Sequence, residues 1–315
     1  MINEKVTQKL VQVHRKETLS QSVITACGIA AALLPFLMAA FLLVKGSGTF
    51  WDFGHSITEF LFSAQWKPSD TMEGGGQVGA AMFISGSLVT CFLSLVFALP
   101  VSLAAAIYMS EMASPAVQRL IRPVVEMFTG IPSVIYGWVG LTVLVPFLRK
   151  IFPMPFGFSV LAASLVLAVM IFPVITTMAA DAMLAVPKSW RDASYGLGAT
   201  RWETIRNVIL PAAQRGIFTG VVLGLARALG EALAVAMVIG QTTALPTSIF
   251  STTKTLTTEI AAQMGNAMEG GEMKSALWTM ALLLFAISLF FIFLIHHVTA
   301  VKPENFSSEW LARKV

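Results

Sequence analysis

Six long apolar runs alternate with polar connections along the chain, covering about 22–44, 79–109, 123–148, 157–180, 216–240 and 276–298. A hydrocarbon core takes about 20 residues of helix to cross, so each run predicts a membrane-spanning helix. Pro100 predicts a kink in the second run, and Gly130-Ile131-Pro132 interrupts the third. The layout is a polar segment at 1–21, a six-helix domain at 22–300 and a polar tail at 301–315. Two connections on one side are long. Residues 45–78 hold Trp51, Trp66 and Gly74-Gly75-Gly76; residues 241–275 are rich in Thr and Ser, with an amphipathic stretch around 255–269. Connections of this length usually serve a purpose, and both docking a partner and capping the bundle are open.

Composition agrees with the pattern. Only 12% of the 315 residues are charged and 56% are hydrophobic, against roughly a quarter charged in soluble domains, so lipid must cover much of the surface. The net charge of +4 is scattered rather than gathered in one patch, which argues against a nucleic-acid partner. Cys27 and Cys91 fall inside apolar runs and read as small hydrophobes. The first run exceeds the roughly 7–15 residues of a signal-peptide core and reads as a retained anchor. Most Lys and Arg fall in the N-terminal segment, near Arg119 and Arg122, between 188 and 215, and in the tail. The positive-inside rule then predicts both termini in the cytoplasm, with Arg149 and Lys150 dissenting.

On that cytoplasmic side, 187–215 reads PKSWRDASYGLGATRWETIRNVILPAAQR. Ser189 and Asp192 form a capping box that predicts a helix from Trp190 to near Gly198, where a left-handed turn suits glycine. Thr200 and Glu203 repeat the device for a second helix running to Leu210, with Pro211 interrupting or ending it. This predicts a bent two-helix hairpin presenting apolar and basic side chains. Asp192-Ala193-Ser194, Gly198, and Val208-Ile209-Leu210-Pro211 at their spacing resemble the EAA motif of ABC importer permeases, with Asp192 for the usual Glu, Ser194 for the second Ala and Val208 for Ile. The resemblance implies that the loop docks into a cytoplasmic ATPase.

Further stretches are similar to the PstC-type permeases of phosphate importers: Trp66 to Pro68, IPSVIYGWVGLTVLVP at 131–146 and ARALGEALAVAMVIGQ at 226–241. Ala232 and Gln241 depart from the Thr and Asn common there. The implied fold is an all-α polytopic bundle of the type I importer (MetI-like) class, in the bacterial cytoplasmic (inner) membrane. The implied partners are a second, PstA-type permease, two copies of a PstB-type ATPase, a soluble PstS-type phosphate-binding protein and the bilayer. No GxxxxGK[ST] run is present. The expectation is a transport subunit with no catalytic residue, metal or cofactor of its own, the ATP and Mg being used by the partner ATPase.

Two charges stand inside the fifth run, Arg227 and Glu231, four residues apart. On a continuous helix they share a face and pair. Gly216, Gly220 and Gly224 precede them, a small-xxx-small series that favours close helix packing. At ~100° per residue all five fall within a sector of ~80°, pointing the charges into protein or a water-filled path. As a path, Arg227 offers a guanidinium fork to phosphate oxygens, and Glu231 neutralises it when the path is empty; the carboxylate also accepts the proton that phosphate carries and sulfate lacks. The competing reading is an ion pair that sets helix register. The resemblance implies the pathway role, because PstC-type permeases keep this Arg and Glu. Glu126, at the start of the third run, is either interfacial or pathway-lining. Rival functions are a permease for molybdate, tungstate or sulfate, and a secondary transporter using Glu231 as a proton site.

Overall fold

The protein is described by a computed structural model covering residues 2–300; the 301–315 tail lies outside the described residues. Six helices are long and apolar enough to cross a membrane: Ser20–Trp51, Ala81–Met112, Ser133–Ile151, Val160–Leu184, Arg201–Gly230 and Glu272–Leu294. The fourth is the axis of the bundle. Its residues on every side, among them Ala162, Leu167, Ile171, Ile175 and Ala179, are buried, with the second and fifth spans packed along it. A helix apolar all round is stable only when other helices or lipid surround it. The first span is part of a helix that begins at Ile2. It leans on the last helix, where Phe41 meets Trp278 edge to face at 5.2 Å, and its apolar side chains are otherwise open for lipid.

Close approach of the fourth and fifth spans depends on the predicted glycine series. A Cβ on Gly220 would stand 2.7 Å from Met178 Cβ, one on Gly224 2.9 Å from Ile175 Cγ1, and one on Gly216 would collide with Ala182. The missing side chains let the backbones meet, and dispersion between them replaces contact with lipid.

Two predicted boundaries are corrected. The third run splits at Gly130-Ile131-Pro132 into the amphipathic helix Pro115–Gly130 and a span beginning at Ser133. The amphipathic helix buries Val125 and lays Val117 and Ile121 against the bundle, while Leu120, Val124 and Met127 are exposed. Its apolar end had merged with the span in the linear sequence. Glu126 therefore belongs to this helix and not to the third span. The second helix of the 187–215 loop also does not stop at Pro211: it continues into the fifth span without a break in helix. A π-turn at Ile205–Ile209 shifts the hydrogen-bond register just ahead of Pro211, and a second at Gly140–Leu144 precedes Pro146. A wide turn there relieves the clash and missing N–H of a proline.

The two ends of the bundle have separate apolar cores. At one end Met183, Val186, Ile205 and Ile209 gather beneath the 187–209 hairpin. At the other, connections 45–78 and 241–275 fold over the bundle around Phe60, Val78, Phe83, Leu256 and Leu277. The amphipathic stretch predicted at 255–269 appears as the helix Leu256–Gln263. A two-stranded ribbon pairs Trp66 with Val78 and Lys67 with Gln77.

Candidate functional site

The hairpin is built by local signals. Its first helix is Lys188–Gly196, starting slightly earlier than Ser189 and Asp192 predict: Pro187 occupies the N-cap, and Asp192 and Ala193 are exposed on the helix. Pro187, with its fixed φ, starts the helix before the serine can cap it. Gly198 has φ +83°, as the turn requires. The Thr200–Glu203 capping box forms in both directions. Ser194 and Thr204 share a hydrogen bond of 2.9 Å that fixes the bend. Leu210 and Pro211 lie where the second limb enters the fifth span.

The hairpin is fastened underneath and open on top. Arg191, largely buried, makes a 2.7 Å ion pair with Glu111 at the end of the second span and donates to the Met183 carbonyl at 2.8 Å. Arg201 donates to the Glu111 carbonyl. Two limbs are thereby tied to one point on the second span. Above them Leu197 is 90% exposed and Trp202 54%, with Trp190 and Tyr195 also exposed. Nearby, Arg122 bridges Glu126 and Asp181, each at 2.9 Å, strapping the amphipathic helix to the fourth span.

The second constellation lies where the fifth span breaks. The helix ends at Gly230 and Glu231 is extended, with ψ 123°, so Arg227 and Glu231 do not share a helical face. They form none of the ion pairs among the described residues. The Glu231 carboxylate instead accepts from Ala234 N–H at 3.1 Å, capping the short helix Leu233–Ala236. The Thr257 hydroxyl, from the far-end connection, donates to the Glu231 carbonyl at 2.8 Å. An interrupted helix inside a bundle is tolerated only where protein or a water-lined cavity supplies its missing hydrogen bonds, and such breaks are where transporters hold substrates. Arg227, half-buried in the last turn before the break, lies within electrostatic reach of Tyr136 on the third span.

The sequence reading missed the ties at the far end. Glu272 is fully buried at the start of the last helix. It accepts from Ser69 N–H at 2.6 Å and Gly76 N–H at 3.0 Å, and meets His55 Nε2 at 2.7 Å. Glu259, also buried, receives Trp66 Nε1–H at 3.1 Å and the Lys254 ammonium at 2.6 Å. Burial by itself would lower the pKa of His55, but the Glu272 and Glu59 carboxylates outweigh it and hold the imidazole above its ordinary value. Both long connections are therefore fastened as a cap on the bundle. Only Gly74-Gly75-Gly76, a run able to aim backbone amides, hinted at the anchor.

Comparison with known proteins bears on the whole chain. The family described as binding-protein-dependent transport system inner membrane component matches residues 98–300. The Bacillus subtilis (strain 168) protein described as probable ABC transporter permease protein YqgH is 44% identical over 302 residues, 95% of this chain and 97% of its own. The phosphate transport system permease protein PstC of Haemophilus influenzae is 38% identical over 280 residues, 82% and 86% of the two chains. Among solved structures, a bacterial alginate ABC transporter in complex with its pentasaccharide-bound periplasmic protein has a chain that aligns at a TM-score of 0.59. It covers 86% of this chain and 93% of its own at 18% identity, a likeness of fold.

Proposed function

The chain belongs to the family of binding-protein-dependent transport system inner membrane components, and from that premise we propose that it is the channel-forming subunit of an ATP-driven importer of inorganic phosphate. As a multi-pass permease it works with a second permease, ATPases and a binding protein; we assign these as PstA-type, PstB-type (two copies) and PstS-type. The 187–209 hairpin and both termini then lie in the cytoplasm of a bacterial cell, and the fastened connections lie outside. Likeness to a permease named for phosphate supports the substrate.

The observation that carries the path is Arg227 in the last turn before a helix break inside the bundle. A guanidinium half-withdrawn from water binds a phosphate oxygen pair more strongly than an exposed one, and the Gly230–Glu231 break leaves the backbone there free of the α-ladder. Glu231 is committed through its cap on Ala234, so it orders the break and adds a negative charge that keeps the anion from being held too long. Exposed Leu197 and Trp202 are the grip for the ATPase. Arg191 and Arg201, both tied to Glu111, carry its displacement to the second span, while the continuous helix from Arg201 carries it directly along the fifth span to Arg227.

Arg227→Gln in the reconstituted complex is expected to abolish phosphate uptake and spare assembly and basal ATP hydrolysis. Normal uptake by that variant refutes the role. Competition of labelled phosphate by molybdate, tungstate and sulfate tests the substrate: displacement by one of them better than by phosphate itself reassigns the importer.

A further inference from the structure

In an unbroken helix the Phe128 carbonyl accepts from the N–H four residues on. That position is Pro132, which has no N–H. Tyr136 supplies the donor instead: its hydroxyl donates to the Phe128 carbonyl at 2.6 Å. One side chain on the third span thus bridges the joint at 130–132 and holds the end of the amphipathic helix Pro115–Gly130. Space around the joint is ample, since a Cβ on Gly130 would meet nothing within 4 Å.

Tyr136 also stands beside the break in the fifth span. A Cβ on its neighbour Gly137 would lie 2.8 Å from Ala234 Cα, and Ala234 is the residue that Glu231 caps. Tyr136 further lines an open groove of about 800 Å³ with Phe128, Ile131 and Ile135, where, among the described residues, it brings the one polar side chain. A phenol bears a single proton and donates to one acceptor at a time. If an anion oxygen takes that proton's hydrogen bond, the Phe128 carbonyl loses it.

We propose that Tyr136 is a second anion-recognising residue, whose hydroxyl exchanges the Phe128 carbonyl for an oxygen of the anion held at Arg227, so that occupancy unlatches the joint at 130–132. This rests on the reading of Arg227 as the anion site. The exchange makes a filled path and a latched joint mutually exclusive. It releases the end of the amphipathic helix nearest the path, while the Arg122 strap still holds its middle on the fourth span.

The test uses the whole importer with its ATPases, second permease and binding protein in proteoliposomes. Tyr136→Phe keeps the ring and removes the proton. The expected result is an increase in the KM for phosphate of roughly tenfold, the loss of one hydrogen bond to a charged group. In the native complex, phosphate is expected to speed amide exchange at 129–135; in Tyr136→Phe that exchange is already fast and phosphate does not alter it. A merely structural tyrosine would change exchange without changing KM. An unchanged KM overturns the proposal, and so does native exchange at the joint that phosphate leaves untouched, a measurement needing no variant. If Arg227→Gln abolishes uptake while Tyr136→Phe behaves as native, the latch fails and the importer reading stands; normal uptake by Arg227→Gln removes both.

Discussion

Replacing Glu272 by Gln tests whether the long connections are a fastened cap. The carboxylate has no solvent exposure and gathers Ser69 N–H at 2.6 Å, Gly76 N–H at 3.0 Å and His55 Nε2 at 2.7 Å. Gln has nearly the same shape, but it carries no charge, and one of its two heads is an NH₂ that no longer accepts: turned toward Ser69 and Gly76 it meets two donors, and turned toward His55 it requires the neutral imidazole as acceptor. Hydrogen bonds to a charged group contribute about 1.5–3 kcal/mol each, and removing one partner of a buried charged pair costs about 3–5 kcal/mol. These are not additive, because the three donors share one acceptor. Taking about 3 kcal/mol at roughly 1.4 kcal/mol per tenfold, local opening becomes about a hundredfold more frequent. Amide exchange followed by mass spectrometry on the purified complex reads this directly. Peptides containing Ser69 and Gly76 are expected to exchange roughly a hundredfold faster, while those from Val160–Leu184 stay as they were. Equal rates at Ser69 and Gly76 in variant and native protein would refute the claim that this carboxylate holds the cap.

The same cap is expected to respond to pH. His55 is held above its ordinary pKa by Glu272 and Glu59, so its stabilisation is full below the unfolded value near 6.5 and is lost as pH rises through the folded value. Protection at Ser69, its exchange taken relative to the intrinsic base-catalysed rate at each pH, should therefore fall on alkalinisation, and His55→Gln should flatten that dependence; protection that does not change with pH in native protein contradicts this. Gly220→Val places atoms 2.7 Å from Met178 Cβ and is expected to cost about 1–3 kcal/mol by overpacking, seen as a lower unfolding temperature of the purified complex. An unaltered midpoint would mean that the fourth and fifth spans part freely. Leu197→Asp alters an exposed residue and should leave the permease folded, yet cut co-purification of ATPase subunits; full recovery of them would remove Leu197 from the coupling surface.

Features that depend on neighbours in the chain were legible. Six apolar runs, the Gly216–Gly220–Gly224 series, Gly198 at positive φ and the Thr200–Glu203 box all follow from local sterics, capping and the length of a membrane crossing. The failures arose where local signals were ambiguous. Val125 and its neighbours ran into the third span because an amphipathic helix and a span look alike where they abut. Pro211 reads as an interruption or an end because the π-turn that accommodates it has no clear sequence mark.

What tertiary structure alone decided are the contacts between distant segments. Ser69 and Glu272 meet across 203 positions, Glu111 and Arg191 across 80, and Thr257 reaches the Glu231 carbonyl across 26. The separation of Arg227 from Glu231 belongs with them. Spacing by four predicts a pair on any intact helix; the break at Gly230 is stable because the Thr257 hydroxyl donates to the Glu231 carbonyl that an α-ladder would have used, and the Glu231 carboxylate takes up the Ala234 N–H at the start of the next helix. Apolar periodicity determines which segments enter the bilayer, since each residue bears its own transfer free energy. A helix can stop within it only where packed neighbours provide the hydrogen bonds that lipid lacks.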